Sequence, residues 1–164
     1  MLSRASGPAQ KQNRSEKRQP RFRPRSEKVN AMPAVKFRVL LVDDEDDFRE
    51  TLLVRLKNRG FEVTGASSGR KALDVLQGQD FDVIVLDVLM PEMDGLDCLK
   101  QIRQIKPTVG VILLTGHASV QSGIEGLHMG ALEYLTKPVP LDELLEKLEL
   151  AYERKRTLEK RSLA

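Results

Sequence analysis

Polar side chains with reactive or ligand-binding chemistry follow four apolar runs of the sequence. In chain order, these runs are followed by Asp43-Asp44, Asp87, Thr115 and Lys137-Pro138. Because short apolar runs predict buried strands, each polar residue is expected at the C-terminal end of a strand. Three carboxylates, a hydroxyl and an ammonium would then meet at one edge of a sheet. Such a group could bind a divalent cation and a phosphoryl group together.

The residue types assign different tasks to the members of this group. Packed carboxylates repel each other unless a cation offsets their charge, and Mg²⁺ is the hard, oxygen-seeking cation that suits them. An aspartate can also attack phosphorus to give an acyl phosphate, and Asp87 is the best candidate because it stands alone at the end of the central strand. Lys137 could neutralise the developing charge, and the Thr115 hydroxyl could donate to a phosphoryl oxygen.

Strands and helices are predicted to alternate along the chain. Strands are expected over residues 39–42, 61–64, 83–86, 111–114 and 132–135, and helices over 47–58, 70–76, 96–105, 120–129 and 141–152. The near-continuous apolar runs fit strands buried on both faces, as in a parallel sheet covered by helices. Five alternations within about 115 residues indicate a single doubly wound α/β domain.

The strand order decides which polar residues meet. In open α/β sheets the site lies beyond the carboxyl ends of the strands, at the point where the strand order reverses. With the order 2-1-3-4-5, strands one and three are neighbours across that point, and their ends carry Asp43, Asp44 and Asp87. Strands four and five bring Thr115 and Lys137 from one side.

Each motif has an ordinary explanation when it is taken alone. Residues 43–47 could be only an acidic helix N-terminus, residues 91–95 a loop and helix start, Thr115-Gly116 a turn, and Lys137-Pro138 a loop dipeptide. Nothing in these explanations requires all four motifs to stand at strand ends.

Taken together, the four motifs resemble those of a known family. The segments VLLVDDEDD (39–47), VIVLDVLMPEMDG (83–95), ILLTGHA (112–118) and YLTKP (134–138) are similar in order and spacing to the receiver domain of two-component response regulators, of the nitrogen-regulator type. The resemblance covers about residues 36 to 152. It implies a flavodoxin-like, doubly wound, five-stranded parallel sheet of order 2-1-3-4-5 with five helices.

The resemblance also implies roles at the acidic end of the site. Asp87 would be the phosphoacceptor, and Asp43 and Asp44 would form an acidic pocket for Mg²⁺. The protein ligands of the metal would then be the side chains of Asp44 and Asp87 and the backbone carbonyl of Leu89. Asp43 would lie beside them in the acidic pocket.

A second group of roles follows from the same resemblance. Thr115 and Lys137 would be the switch hydroxyl and the phosphoryl-binding lysine, and Tyr134 the aromatic residue that changes rotamer on activation. The Lys137–Pro138 peptide bond would be cis, which is uncommon outside X-Pro bonds.

Two further positions would set the lifetime of the phosphoryl group. Leu89 lies two residues after Asp87 and cannot orient an attacking water, so we expect slow self-hydrolysis. His117 lies two residues after Thr115 and could either orient a water or be an exposed loop histidine.

The fourth predicted helix is unusually rich in glycine. Gly123 and Gly126 lie inside it, and each costs roughly 0.5–1 kcal/mol relative to alanine. A marginal helix beside Thr115 and Tyr134 would suit an element whose population shifts on phosphorylation. The alternative is a closely packed helix that needs small residues.

The function that these observations predict is a stand-alone, CheY-like signalling switch rather than an enzyme. A sensor histidine kinase or a histidine phosphotransfer protein would phosphorylate Asp87. An unknown downstream protein would bind the face formed by the fourth helix, fifth strand and fifth helix, which could also form a homodimer. A rival, a small phosphohydrolase, usually needs a second aspartate where Leu89 stands.

The N-terminal tail differs from the rest of the chain in net charge. Residues 1–35 carry nine Lys/Arg and two Glu, a net charge of +7, whereas residues 36–164 have a net charge of −4. Residues 1–35 are predicted to form a disordered basic tail. It could bind nucleic acid, which is otherwise not expected as a partner, or it could lie upstream of a true start at Met32.

The remaining sequence bears on further domains, on cysteine chemistry and on cellular location. Residues 153–164 predict a charged helical extension, and no output domain is recognisable after it. Cys98 is the only cysteine, so neither a disulfide framework nor a cysteine metal cluster is available. The absence of a long apolar run predicts no membrane span, and a cytoplasmic location is expected.

Overall fold

The computed structural model describes residues 36–117 and 119–163, so the predictions for the basic tail and for Met32 lie outside the described residues. The strands are β1 (Arg38–Val42), β2 (Glu62–Ala66), β3 (Val83–Leu86), β4 (Gly110–Thr115) and β5 (Glu133–Thr136). The helices are α1 (Asp46–Asn58), α2 (Gly69–Gly78), α3 (Gly95–Ile105), α4 (Val120–His128) and α5 (Leu141–Ser162). All neighbouring strands are parallel, in the order β2-β1-β3-β4-β5. The predicted fold is confirmed.

The sheet is buried between two helical layers. Successive residues of β1 point to opposite faces, so that Leu40 and Val42 pack with α2 and α3, whereas Val39 and Leu41 pack with α1 and α5. All four residues of β3 are buried. This two-sided burial explains why the central strands have continuous apolar sequences rather than alternating ones.

Local caps fix where the helices begin after the strands. The side chains of Ser68, Asp94 and Ser119 accept hydrogen bonds from backbone N–H groups three residues later, at the starts of α2, α3 and α4. Gly60 and Gly130 follow α1 and α4 with φ angles of 90° and 97°, as helix C-caps often require. The side-chain caps therefore fix the helix ends of three loops at the carboxyl edge of the sheet, whereas the two glycines lie in loops at the opposite edge.

The glycines of α4 lie against neighbouring side chains. A Cβ atom on Gly123 would lie 3.2 Å from Cδ1 of Tyr134, and one on Gly126 would collide with Cδ1 of Leu113. Close packing against β4 and β5 is therefore sufficient to explain the small residues. The alternative role of α4 as a shifting element stays a prediction.

Helix α5 continues without a break past residue 152 into the predicted extension, which begins at residue 153. Leu144, Leu148 and Ala151 are fully buried along its inner face. Further on, the Nζ atom of Lys155 lies 2.9 Å from Asp82 and 3.0 Å from Glu159. Residues 153–162 are thus part of α5, and Lys155 attaches them to the loop before β3.

Among the described residues, no helix combines the length and apolar character needed to cross a bilayer.

Candidate functional site

Three acidic side chains meet at the carboxyl edge of the sheet. Asp43 and Asp44 follow β1, and Asp87 follows β3, the strand paired with β1. One carboxylate oxygen from each residue lies within 4.8 Å of the others. Asp43 and Asp87 are 1% and 4% exposed, and Asp44 is the most accessible of the three. The sequence-predicted acidic group therefore assembles, with two of its members buried.

Lys137 enters this group from the end of β5. Its Nζ atom is 2.6 Å from Oδ2 of Asp43 and 3.5 Å from Oδ2 of Asp87. Its backbone N–H donates to the carbonyl of Thr115 at 2.8 Å, and the peptide bond to Pro138 is cis. The ammonium therefore lies between two buried carboxylates, nearer to Asp43 than to the predicted nucleophile.

Burial and charge act in opposite directions on the pKa values of this pair. Burial raises the pKa of Asp43, and the hydrogen bonds from Lys137 and from the backbone of Glu45 oppose that rise only in part. Burial alone would lower the pKa of Lys137, but the hydrogen bond and charge of Asp43, together with the charge of Asp87, outweigh it and raise that pKa. The lysine is therefore held in its charged form. With all three carboxylates ionised, two negative charges are left for a cation to balance.

The donor set fits a magnesium ion. Carboxylate oxygens are the ligands that Mg²⁺ prefers, and an octahedral ion with bonds of about 2.1 Å keeps opposite ligands about 4.2 Å apart. Adjacent ligands of such an ion lie about 3.0 Å apart, so a spread of up to 4.8 Å among the three oxygens would close if each oxygen moved by about 1 Å. The backbone N–H of Leu89 lies 3.3 Å from Oδ1 of Asp87, which places this residue beside the group. The role of its carbonyl as a ligand stays a prediction.

Thr115 and Tyr134 both hold the loop between β4 and α4. The hydroxyl oxygen of Thr115, which is fully buried, accepts the N–H of His117 at 3.2 Å. The hydroxyl oxygen of Tyr134 accepts the N–H of Ser119, also at 3.2 Å. Thr115 is therefore part of the site edge, whereas Tyr134 lies against α4 rather than among the carboxylates.

The two predicted lifetime positions lie at the surface. Leu89 is 51% exposed despite its apolar side chain, and His117 is exposed. A water molecule can therefore reach the neighbourhood of Asp87. The side chain of Leu89 has no polar atom with which to hold such a water in place.

Sequence reasoning missed two neighbours of the site, both in α1. Arg49 donates to the backbone carbonyl of Asp43 at 2.7 Å and to the carboxylate of Asp46 at 2.7 Å, and so fixes the β1–α1 loop. The ring centroid of Phe48 lies 4.0 Å from Nζ of Lys137. The sequence did contain a signal for Arg49, because a basic residue close to the five acidic residues 43–47 is expected to balance their charge. Phe48 gave no such signal, since it belongs to the apolar stripe of the helix.

Comparison with known proteins agrees with this geometry. The family model described as "Response regulator receiver domain" matches residues 39–149. The transcriptional regulatory protein ZraR of Escherichia coli K12 is 41% identical over 69% of this chain and 26% of its own length. The response regulator MprA of Mycolicibacterium vanbaalenii is 40% identical over 68% of this chain and 48% of its own length.

A solved structure is similar over nearly its whole length. The response regulator receiver domain protein from Clostridium thermocellum has a TM-score of 0.70 and 35% identity, covering 74% of this chain and 98% of that one. By contrast, the chain spans about a quarter of ZraR and about half of MprA. On the family match and this structure, the chain belongs to the family of receiver domains of two-component response regulators.

Proposed function

We propose that the domain is a phosphorylation switch in which Asp87 accepts a phosphoryl group from a phosphohistidine of a sensor histidine kinase or histidine phosphotransfer protein. The observation that carries this proposal is a buried aspartate at the end of the central strand, with two acidic residues and a lysine ammonium beside it. A carboxylate oxygen of Asp87 forms a bond to phosphorus as the bond from phosphorus to the histidine nitrogen breaks. The electron pair of the broken bond stays with the imidazole.

The other side chains prepare and stabilise this transfer. Lys137 supplies positive charge to a phosphoryl oxygen, and the Thr115 hydroxyl donates a hydrogen bond to another. Asp44 and Asp87, with Asp43 beside them and the Leu89 carbonyl as a further ligand, would hold Mg²⁺, and the ion would supply positive charge to the phosphoryl oxygens. The product stays on the protein, so the domain acts on itself and is a switch rather than an enzyme with an external substrate.

The identity of residue 89 favours the switch over a phosphohydrolase. A hydrolase that passes through an aspartyl phosphate needs an acid or base to activate water for the second step. Leu89, exposed beside Asp87, offers no proton-transfer group at that position. The phosphorylated state is therefore expected to persist long enough to be recognised by another protein.

The surface of α4 and α5 supports recognition by protein contact. Ile124 and Leu127 on α4 are 52% and 49% exposed, and Leu150 on α5 is 45% exposed. Exposed apolar groups of this kind suit a downstream protein partner or a second copy of the domain. Light scattering with and without beryllofluoride distinguishes the two, because only self-association raises the mass of the isolated protein.

Two expectations about the whole chain stay predictions. The receiver is expected to act alone, but it spans only part of its curated relatives, so the mass of the native protein is the deciding measurement. Nucleic-acid binding through the basic tail predicts a salt-dependent gel shift that is lost when residues 1–31 are deleted.

The phosphoacceptor is tested by labelling with acetyl phosphate and Mg²⁺. Wild type and Asp74→Ala, which removes an exposed aspartate from α2, are expected to form an acid-stable, base-labile adduct. Asp87→Ala is expected to form none. Equal labelling of Asp87→Ala and wild type would overturn the assignment.

A further inference from the structure

The ammonium of Lys137 has a partner that carries no charge. Its Nζ atom lies 4.0 Å from the ring centroid of Phe48, in the first turn of α1. The Lys137 side chain is only 10% exposed. The ammonium is therefore held by carboxylates and by an aromatic ring, with little access to solvent.

Phe48 differs from the three leucines of α1. Leu52, Leu53 and Leu56 are buried in the core, whereas Phe48 is only partly buried and packs at its border. The ring is therefore not explained fully by core packing, although Phe48 stands at helical spacing from Leu52 and Leu56. Its distinguishing contact is the lysine ammonium.

The chemistry of the ring suits a site that receives an anion. The face of an aromatic ring attracts a cation within about 6 Å through its quadrupole. The ring has no formal charge, so it does not repel an incoming phosphoryl group as a further carboxylate would. It also adds no further hydrogen-bond acceptor that would compete with phosphoryl oxygens for the N–H donors of Lys137.

A flexible lysine needs such a restraint more than an arginine would. Its ammonium stands at the end of a four-carbon stem that loses several rotamers when it is fixed. A group held in place before the reaction accelerates it, because the ordering cost has already been met in the free protein. Asp43 alone would draw the ammonium away from Asp87, since it is the nearer carboxylate, at 2.6 Å against 3.5 Å.

We infer that Phe48 is a positioning residue whose ring face holds the Lys137 ammonium next to Asp87 before the phosphoryl group arrives. The inference rests on the proposed phosphorylation of Asp87. Phe48 does not touch the reacting atoms in this scheme, and it acts only through the lysine. Its effect must therefore disappear when the lysine is absent.

The test is a double-mutant cycle between the ring and the lysine. Phe48→Leu keeps an apolar side chain but removes the ring face, and Phe48→Tyr keeps the ring. The measured quantity is the second-order rate constant of phosphorylation by acetyl phosphate at saturating Mg²⁺, with folding of each variant checked by urea unfolding. We expect Phe48→Leu to lower the constant about five- to thirtyfold and Phe48→Tyr to stay within about twofold of wild type.

The Lys137→Ala background separates positioning from packing. There, Phe48→Leu is expected to cause no further loss. An equal loss in both backgrounds, or no loss with Lys137 present, would overturn the inference.

A spectroscopic measurement keeps this inference separate from the proposed function. The ring current of Phe48 shifts the ε-methylene protons of Lys137 in the unphosphorylated protein, and Phe48→Leu is expected to abolish that shift while Phe48→Tyr retains it. If wild type is never phosphorylated, the proposed function fails. If the ε-methylene shift is the same in wild type and Phe48→Leu, the ring–ammonium contact itself is refuted.

Discussion

Replacing Gly95 with alanine should damage both the fold and the site, because this residue lies directly against the backbone of Asp87, the proposed phosphoacceptor. Gly95 begins α3 and donates to the carbonyl of Val88 at 2.6 Å. An added Cβ would collide with the carbonyl oxygen of Asp87 and would lie 2.7 Å from Cα of Val88. All of these neighbours are backbone atoms, so no side-chain rotation can make room.

The size of the effect follows from those contacts. Carbon atoms pack at about 3.5–4.0 Å, so the loop must move by about 1 Å. Overpacking costs about 1–3 kcal/mol, and loss of the Gly95–Val88 hydrogen bond costs about 1 kcal/mol. The better helix propensity of alanine returns up to about 1 kcal/mol. The net loss of about 2 kcal/mol corresponds to a fall in Tm of about 8 °C for a domain of about 130 residues.

The assay is urea and thermal unfolding followed by circular dichroism, together with labelling by acetyl phosphate. Gly78→Ala is the matched control, because no heavy atom beyond its chain neighbours and its own helix backbone lies within 4 Å of its added Cβ, and its φ is outside the left-handed region. It should stabilise the protein by about 0.5 kcal/mol. Displacement of Asp87 by about 1 Å should also slow labelling of Gly95→Ala about tenfold or more. A Gly95→Ala variant within about 0.5 kcal/mol of wild type would refute the steric reasoning.

Three further predictions concern the core, α5 and the site. Burial raises the pKa of the Cys98 thiol to about 12, so at pH 8 about one thiol in ten thousand is ionised. A thiol reagent should therefore label Cys98 only after the protein is unfolded in urea, and rapid labelling of the native protein would contradict this. Burial would lower the pKa of Lys155, but its hydrogen bonds to Asp82 and Glu159 outweigh this and raise it. The stability that the lysine contributes is therefore present below about pH 10.4 and is lost as pH rises through its folded pKa. Lys155→Met should lower the free energy of unfolding by about 1 kcal/mol at pH 7, and its difference from wild type should shrink at higher pH. At the site, Leu89→Asn should shorten the acyl-phosphate lifetime about tenfold by orienting water, whereas a wild-type lifetime of only seconds would argue against the slow hydrolysis expected for leucine.

The sequence was most informative where apolar runs end in polar residues. The boundaries of β3 agree with prediction because its four residues are buried on both faces and Asp87 follows at once. β2 was less accurate: predicted over 61–64, it occupies Glu62–Ala66. Gly65 does not look like a strand residue, yet it pairs with Leu41, and the side chain of Leu53 covers the space that a Cβ would need. The C-terminal end of β2 therefore depends on contacts with residues that are distant in the sequence.

The site shows the same division between local and tertiary information. The residue types and their order predicted that Asp43, Asp44, Asp87 and Lys137 would meet, because parallel strands place their carboxyl ends together. The preference of Lys137 for Asp43 over Asp87 depends on distances that only the packed structure sets. The contact of Phe48 with the ammonium was also beyond prediction, since a helical stripe indicates burial but not which neighbour is met.

The β4–α4 loop connects the site to the exposed apolar face through two backbone N–H groups. One donates to the Thr115 hydroxyl and the other, from Ser119, to the Tyr134 hydroxyl. A phosphoryl oxygen that draws the Thr115 hydroxyl towards Asp87 would lengthen the first contact and loosen the loop that leads into α4. Because Gly123 has no side chain, the Tyr134 ring lies directly against α4, so a displaced helix would also free the ring. The exposed Ile124 belongs to that helix and would move with it, so the proposed phosphorylation of Asp87 would alter the exposed apolar face without any change in the sheet.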